Sequence, residues 1–95
     1  MTYEVVLSTA AQRDLDALPP TFLSTLQKTH FPRIAAQPRS VGRPKKGHLS
    51  GVYGYDCGPR RAYRVLYEVL DTKRLVLVIA IGTHDQAYRK AERRR

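Results

Sequence analysis

A chain of 95 residues carrying 17 Lys and Arg against 8 Asp and Glu has a formal net charge of +9, and its length suits one domain of the usual size, about 100–150 residues. Its 42% hydrophobic content is ordinary for a globular chain and argues against general disorder. A single cysteine excludes an internal disulfide, Cys/His ligands at finger spacing are absent, and neither a signal-peptide layout nor an apolar run near the roughly 18 residues of a membrane span is present. The expectation is one small, basic, cytoplasmic domain over residues 1–95 that needs no cofactor and no metal.

The predicted elements follow in chain order. Tyr3, Val5 and Leu7 alternate with Glu4 and Ser8 as a short strand. Thr9 and Gln12 have capping-box spacing, and the helix they open carries Ala11, Leu15 and Leu18 on one stripe before Pro19-Pro20 stops it. Pro20 suits the first turn of a second helix with Phe22, Leu23, Leu26 and Ile34 on its buried face. Pro32 should kink that helix or end it near Phe31. Residues 38–51, rich in Pro, Gly and Lys/Arg, read as a loop.

Val52 to Cys57 reads as a strand and Gly58-Pro59 as a turn. Tyr63, Val65, Tyr67 and Val69 alternate with Arg64, Leu66 and Glu68 as a half-buried strand. Asp71-Thr72-Lys73 turns the chain into Leu75–Ile81, whose unbroken apolar run suits a central strand covered on both faces. Residues 84–94 form either a short basic helix or a frayed tail, with a mobile terminal arginine run. The order β-α-α-β-β-β predicts an α+β fold: an N-terminal strand and a helical hairpin packed on a mostly antiparallel four-stranded sheet.

The basic excess lies wholly in residues 39–95, because Arg13, Lys28 and Arg33 balance Glu4, Asp14 and Asp16 before them. It gathers as Arg39, Arg43, Lys45 and Lys46 with Arg60, Arg61 and Arg64, and as the tail Arg89, Lys90, Arg93, Arg94 and Arg95. That asymmetry points to a polyanionic partner, nucleic acid or acidic protein. Its alternative is solvated charge that keeps a small domain soluble.

Leu49-Ser50-Gly51, Tyr63-Arg64-Val65-Leu66-Tyr67-Glu68-Val69 and Ile79-Ala80-Ile81-Gly82 with Tyr88-Arg89 beyond resemble the RelE/ParE superfamily of bacterial toxins. The opening helix, Ala10-Ala11-Gln12-Arg13-Asp14-Leu15 through Leu18-Pro19, is similar too, so the resemblance spans nearly the whole chain. It implies a RelE-like fold and a toxin of a type II toxin–antitoxin pair. On the RelE-type branch, favoured here, such toxins are ribosome-dependent mRNA endoribonucleases (mRNA interferases) that cut mRNA in the A site of the 30S ribosome and inhibit translation. The alternative branch, ParE-like, inhibits DNA gyrase by binding without cleaving RNA. The resemblance also implies a neutralising RelB-like antitoxin, with operator DNA met only through the toxin–antitoxin complex, and no membrane partner.

Metal-free RNA cleavage by 2′-OH attack needs a base, an acid for the leaving 5′-oxygen and cations for the phosphorane charge. By resemblance Arg64 contacts the scissile phosphate, a role a planar permanent cation suits. Its alternative is a pair with Glu68 on the same strand face. By resemblance His84 stands where the motif carries a basic catalytic residue, and a histidine can exchange protons at neutral pH. Tyr88 matches the tyrosine that stacks on a base, and it shares a face with His84 if residues 84–88 are helical; the alternative is an exposed His and a packing Tyr.

The family pattern is not complete. Two lysines of the RelE strand before the Tyr-Arg motif are replaced by Tyr53-Gly54-Tyr55-Asp56-Cys57, and the glutamate base of the YoeB type falls at Arg43. Arg43, Lys45, Lys46, His48, Arg60, Arg61 and Arg89 are candidate RNA or ribosome contacts, and no spacing picks a base among them. Tyr53 and Tyr55 are candidate stacking residues, although strand tyrosines two apart more often pack across strands. Cys57 reads as a small buried residue, and Gly42–Gly47 lacks phosphate-loop spacing.

Overall fold

In the computed structural model, which describes residues 2–94, the N-terminal alternation yields strand β1 (Glu4–Leu7). Met1 and Arg95, the last of the tail arginines, lie outside the described residues. Helix α1 (Thr9–Asp16) follows, capped one residue earlier than the Thr9–Gln12 spacing predicts. Ser8, in extended backbone, accepts the Ala11 N–H at 3.1 Å, while Gln12 turns outward and donates to Asp16 at 3.0 Å.

Helix α2 (Pro20–Thr25) opens on its proline and runs without a break through one wide π turn, Leu26–His30, into α3 (Phe31–Ala36). That turn explains how Pro32 is carried inside a helical segment. A proline cannot donate to the ladder and crowds the carbonyl four residues before it. Widening the turn, with the Phe31 N–H reaching back to the Leu26 carbonyl, opens the ladder where the ring needs room.

Residues 38–51 are more structured than a loop. They hold a one-turn helix α4 (Pro38–Val41), an edge strand β2 (Arg43–Pro44) and a single 3₁₀ turn, Gly47–Leu49. Strand β3 (Val52–Cys57), β4 (Tyr63–Leu70) and β5 (Leu75–Thr83) follow, and helix α5 (His84–Arg94) closes the described chain. The sheet therefore has five strands, ordered β1-β5-β4-β3-β2, one more than predicted. Only β1 and β5 run parallel; the other pairs are antiparallel.

The α+β architecture has helices on both faces of this sheet. Under α1, α2 and α3 lies the larger core, where Ala11, Leu15, Phe22, Leu26 and Ile34 meet Tyr55, Cys57, Val65, Tyr67, Val76, Val78 and Ile81. Tyr63 and Val69 also pack on this side, as the period-two pattern of β4 requires. On the opposite face Ala87 and Ala91 of α5 rest on Leu49, Val52, Leu66, Ile79 and Ala80. A bulge lets β5 serve both faces: Leu66 pairs with Ala80 but Tyr67 with Val78, so Ile79 is the extra residue and the side-chain phase shifts by one. Among the described residues, no helix is long and apolar enough to cross a membrane.

Candidate active site on the α5 face

Arg64, Leu66 and Glu68 alternate onto the α5 face of β4, and Val52, Gly54 and Asp56 do so on β3. The antiparallel register sets Asp56 directly opposite Arg64. Arg64 Nε donates to Asp56 Oδ1 at 2.5 Å and Nη1 donates to the Tyr88 hydroxyl at 2.7 Å. The partner is thus the cross-strand Asp56 rather than Glu68. Among the described residues, Asp56 and Tyr88 engage two of the guanidinium's five N–H groups on a side chain that is 14% exposed.

Tyr88 reaches this point because α5 starts where it does. Gln86 accepts the Thr83 N–H at 3.3 Å, the reciprocal bond of a capping box, and this puts His84 in the first turn. His84 and Tyr88 then fall four apart on one face, with ring centroids 4.8 Å from each other. Arg64 lies over the Tyr88 ring, its Cζ 5.3 Å from the centroid.

Lys45 completes the group from the far edge of the sheet. Its N–H is held by the Val52 carbonyl at 2.8 Å. From there the side chain crosses β3 over Gly54 and brings Nζ to 5.4 Å from the Tyr88 centroid. Gly54 is what allows the crossing: a Cβ there would stand 2.6 Å from Lys45 Cε and 3.1 Å from Leu66 Cδ2.

The far end of α5 is tied down across the edge of β5. Strand β1 pairs with β5 only as far as Val78, and beyond it side chains take over the backbone bonding. The Ile81 N–H donates to Asp14 Oδ2 at 3.0 Å. Lys90 Nζ bonds the Ile81 carbonyl at 3.3 Å and Asp14 Oδ1 at 3.0 Å. Arg94 bonds the Ile79 carbonyl at 2.9 Å and Asp14 through both terminal nitrogens, at 2.7 and 3.2 Å. Burial alone would raise the Asp14 carboxyl, but the hydrogen bonds from Arg94, the Ile81 N–H and Lys90 outweigh it and hold the pKa below its ordinary value. Residues 84–94 are therefore helix rather than frayed tail, and Lys90 and Arg94 are structural cations.

The remaining candidates divide by face and edge. Tyr53 and Tyr55 lie on the other face: Tyr53 stacks on Tyr67 at 5.9 Å, and Tyr55, buried, bonds His30 Nδ1 at 2.8 Å. Both serve cross-strand packing there and do not join Arg64. Lys46, His48 and Arg89 are exposed. Arg60 and Arg61 project from the β3–β4 turn, both with left-handed backbone at φ 56°, and Arg43 sits on β2 opposite Gly54. Arg39 is taken by Asp71, bonded through both terminal nitrogens at 2.9 and 2.6 Å; with Tyr3 donating as well, this holds the Asp71 carboxyl at about 2. Cys57 is buried, and burial, with Asp56 nearby, pushes its thiol up to about 12, which keeps it protonated. Among the described residues no three His, Cys, Asp or Glu side chains gather to hold a metal.

A five-stranded α+β sheet with a helix-borne Tyr and His set against a strand-borne Arg defines the class. Residues 5–92 match the family of ParE-like toxins of type II bacterial toxin–antitoxin systems, and the chain belongs to that family. Within it, the chain is similar to Toxin RelG of Mycobacterium tuberculosis, 31% identical over 90 residues that cover 95% of this chain and all of that one. The toxin–antitoxin complex RelBE2 of Mycobacterium tuberculosis contains a chain 30% identical, covering 88% of this chain and 100% of that one, with a TM-score of 0.79. The intact E. coli RelBE toxin–antitoxin complex contains one 25% identical, with coverages of 85% and 95% and a TM-score of 0.70.

Asp56, Gly54 and Gln86 are the parts of this site that sequence reasoning missed. The Thr83-x-x-Gln86 spacing carried a readable signal for α5. Asp56 and Gly54 carried none, since their meaning depends on which strands pair and in what register.

Proposed function

We propose that this toxin is a RelE-type mRNA interferase that cleaves mRNA in the ribosomal A site. The observation that carries the reading is the convergence of Arg64, Lys45, His84 and Tyr88 on one open surface, with Arg64 bonded to the Tyr88 hydroxyl at 2.7 Å. In the reaction a 2′-hydroxyl attacks the adjacent phosphorus, the P–O5′ bond breaks, and the products are a 2′,3′-cyclic phosphate and a 5′-hydroxyl. Arg64, aimed by Asp56 at its Nε, offers its remaining N–H groups to the non-bridging oxygens as charge builds there. Lys45 adds a second cation from the strand edge. His84, exposed in the first turn of α5, donates a proton to the leaving 5′-oxygen, and the proton of the attacking 2′-hydroxyl passes to solvent water. The Tyr88 ring offers a stacking face beside the reacting phosphate.

The partners follow from the same reading. The complexes of the similar RelBE toxins support a RelB-like antitoxin for this chain; in this reading operator DNA is engaged only through that complex. The test is primer extension on translated mRNA with the wild type and Arg64→Ala. Cuts in the A-site codon that vanish in the variant are expected. Uncut mRNA together with inhibited gyrase supercoiling by the wild type would sink the proposal and favour the ParE-like alternative.

A further inference from the structure

A second cationic feature lies around the corner from Arg64. A cleft of about 330 Å³ opens between the end of the π turn, strand β2 and the β3–β4 turn, lined by His30, Arg33, Val41, Arg43, Gly54, Tyr55, Asp56 and Arg61. Three guanidinium groups face it, and among the described residues none of the three is within ion-pair distance of a carboxylate. The one carboxylate in the lining, Asp56, is engaged by Arg64. Four cationic side chains at other places do have carboxylate partners: Arg39, Arg64, Lys90 and Arg94.

Two features suggest that this gathering is built rather than incidental. Arg61 comes to the cleft from a left-handed backbone position, which a residue with a Cβ occupies at a cost of about 1–2 kcal/mol. His30 is carried by the π turn, an element found frequently at functional sites. Its burial, with Arg33 beside it, lowers its pKa, so the ring is neutral at pH 7. The ring's Nδ1 shares a hydrogen bond with the Tyr55 hydroxyl at 2.8 Å.

We infer that the Arg33–Arg43–Arg61 cleft is a subsite for a backbone phosphodiester of RNA, one strand position removed from the phosphate at Arg64. The inference rests on the interferase reading and deepens it. Asp56 joins the two: it lines the cleft and bonds Arg64, so a strand can leave Arg64 along the Asp56 end of β3 and enter the cleft. Planar guanidinium forks suit phosphate oxygens. Among the described residues Val41 is the only aliphatic side chain in the lining, which disfavours an amphipathic peptide as occupant. The phosphodiester can belong to the mRNA or to ribosomal RNA.

The experiment measures binding of the full chain, in Arg33→Gln and Arg61→Gln forms, to a fluorescein-labelled 2′-O-methyl RNA octamer and to mRNA-programmed ribosomes. Arg13→Gln, an exposed cation on α1 that lines no part of the cleft, controls for net charge. Each cleft variant should bind roughly ten-fold more weakly than the control, with the salt slope shallower by about 0.7 per lost phosphate contact. Loss on both ligands assigns the subsite to the mRNA strand, and loss on ribosomes alone assigns it to ribosomal RNA. Affinities equal to the Arg13→Gln control on both overturn the subsite. The interferase reading is scored separately, by whether the wild type cuts translated mRNA at all, so the two fail independently.

Discussion

One face of the sheet is thick and the other thin. Beneath α1–α3, Tyr67, Leu26 and Ile34 are wholly buried in an interlocked aromatic and aliphatic layer. Beneath α5 the contact is made by Ala87 and Ala91 on Ala80 and Leu66. Alanines bury little area of their own, so at about 25 cal/mol per Å² of apolar surface α5 itself adds less to the fold than the aromatic and aliphatic side chains of α2 and α3 do on the other side. The alanines also let the helix lie close to the strands, which is how a hydroxyl on α5 comes within 2.7 Å of a guanidinium on β4. Stability is concentrated on one side, and polar chemistry is left partly open on the other.

Substitutions on each side should separate these two roles. The largest effect belongs to Arg64→Ala: cleavage on programmed ribosomes should fall about 10²–10³-fold, while unfolding loses only about 1–2 kcal/mol, since Asp56 keeps 28% exposure when its partner is gone. A large fall in thermal stability with equal loss of rate would make Arg64 a structural residue instead. On the thick face, Gly42→Ala would set a Cβ 2.1 Å from the Tyr67 hydroxyl and 2.9 Å from its Cζ. Tyr67 is fully buried, and its hydroxyl donates to the Pro38 carbonyl at 2.5 Å, so it has nowhere to go. A loss of about 3 kcal/mol in urea unfolding is expected.

Asp14→Ala removes the tie between the two sides and should cost about 2–3 kcal/mol, less than a fully buried pair because Lys90 and Arg94 are 26% and 25% exposed. The same carboxyl predicts a pH dependence. Its pKa is depressed on folding, so its contribution is complete above the unfolded value near 3.9 and is lost as pH falls through the lower folded value. Melting curves of the wild type against Asp14→Asn, taken from pH 7 down to pH 2, should converge only at the acid end. The smallest effect is that of Gly54→Ala, which crowds the flexible end of Lys45: roughly ten-fold in cleavage, equal to about 1.4 kcal/mol, with little change in stability. Single-turnover rates that match those of Lys45→Ala would confirm that the glycine acts through the lysine.

Much of the thick face was legible in the sequence because it obeys simple periods. Tyr63, Val65, Tyr67 and Val69 alternate, and Phe22, Leu26 and Ile34 recur at helical spacing. The missed elements are too short to have a period: α4 spans Pro38–Val41 and β2 spans Arg43–Pro44, inside a stretch whose composition argues for loop. The π turn was also invisible, since Pro32 announces a disturbance without saying how the backbone absorbs it. For the site, the resemblance gathered Arg64, His84 and Tyr88, and helical spacing paired the last two. Which face Tyr53 and Tyr55 would occupy relative to Arg64 depended on the register Tyr55–Val65. That register is a property of the 58–62 turn and of the whole sheet, not of either strand alone.

The closure of β5 by Asp14, Lys90 and Arg94 has a consequence for solubility. A strand edge with open amides and carbonyls is a template on which another chain can add a strand, and proteins guard such edges against fibrils and swapped dimers. Here the guard is made of three ionic side chains instead of a neighbouring strand, and two of the three ride on α5. Whatever lifts α5 also uncovers the Ile79 and Ile81 carbonyls, within the apolar stretch Leu75–Ile81, and leaves Asp14 of α1 alone on the Ile81 N–H. The helix that carries Tyr88 to Arg64 is in the same stroke the cover that guards this edge against joining with another copy of the chain.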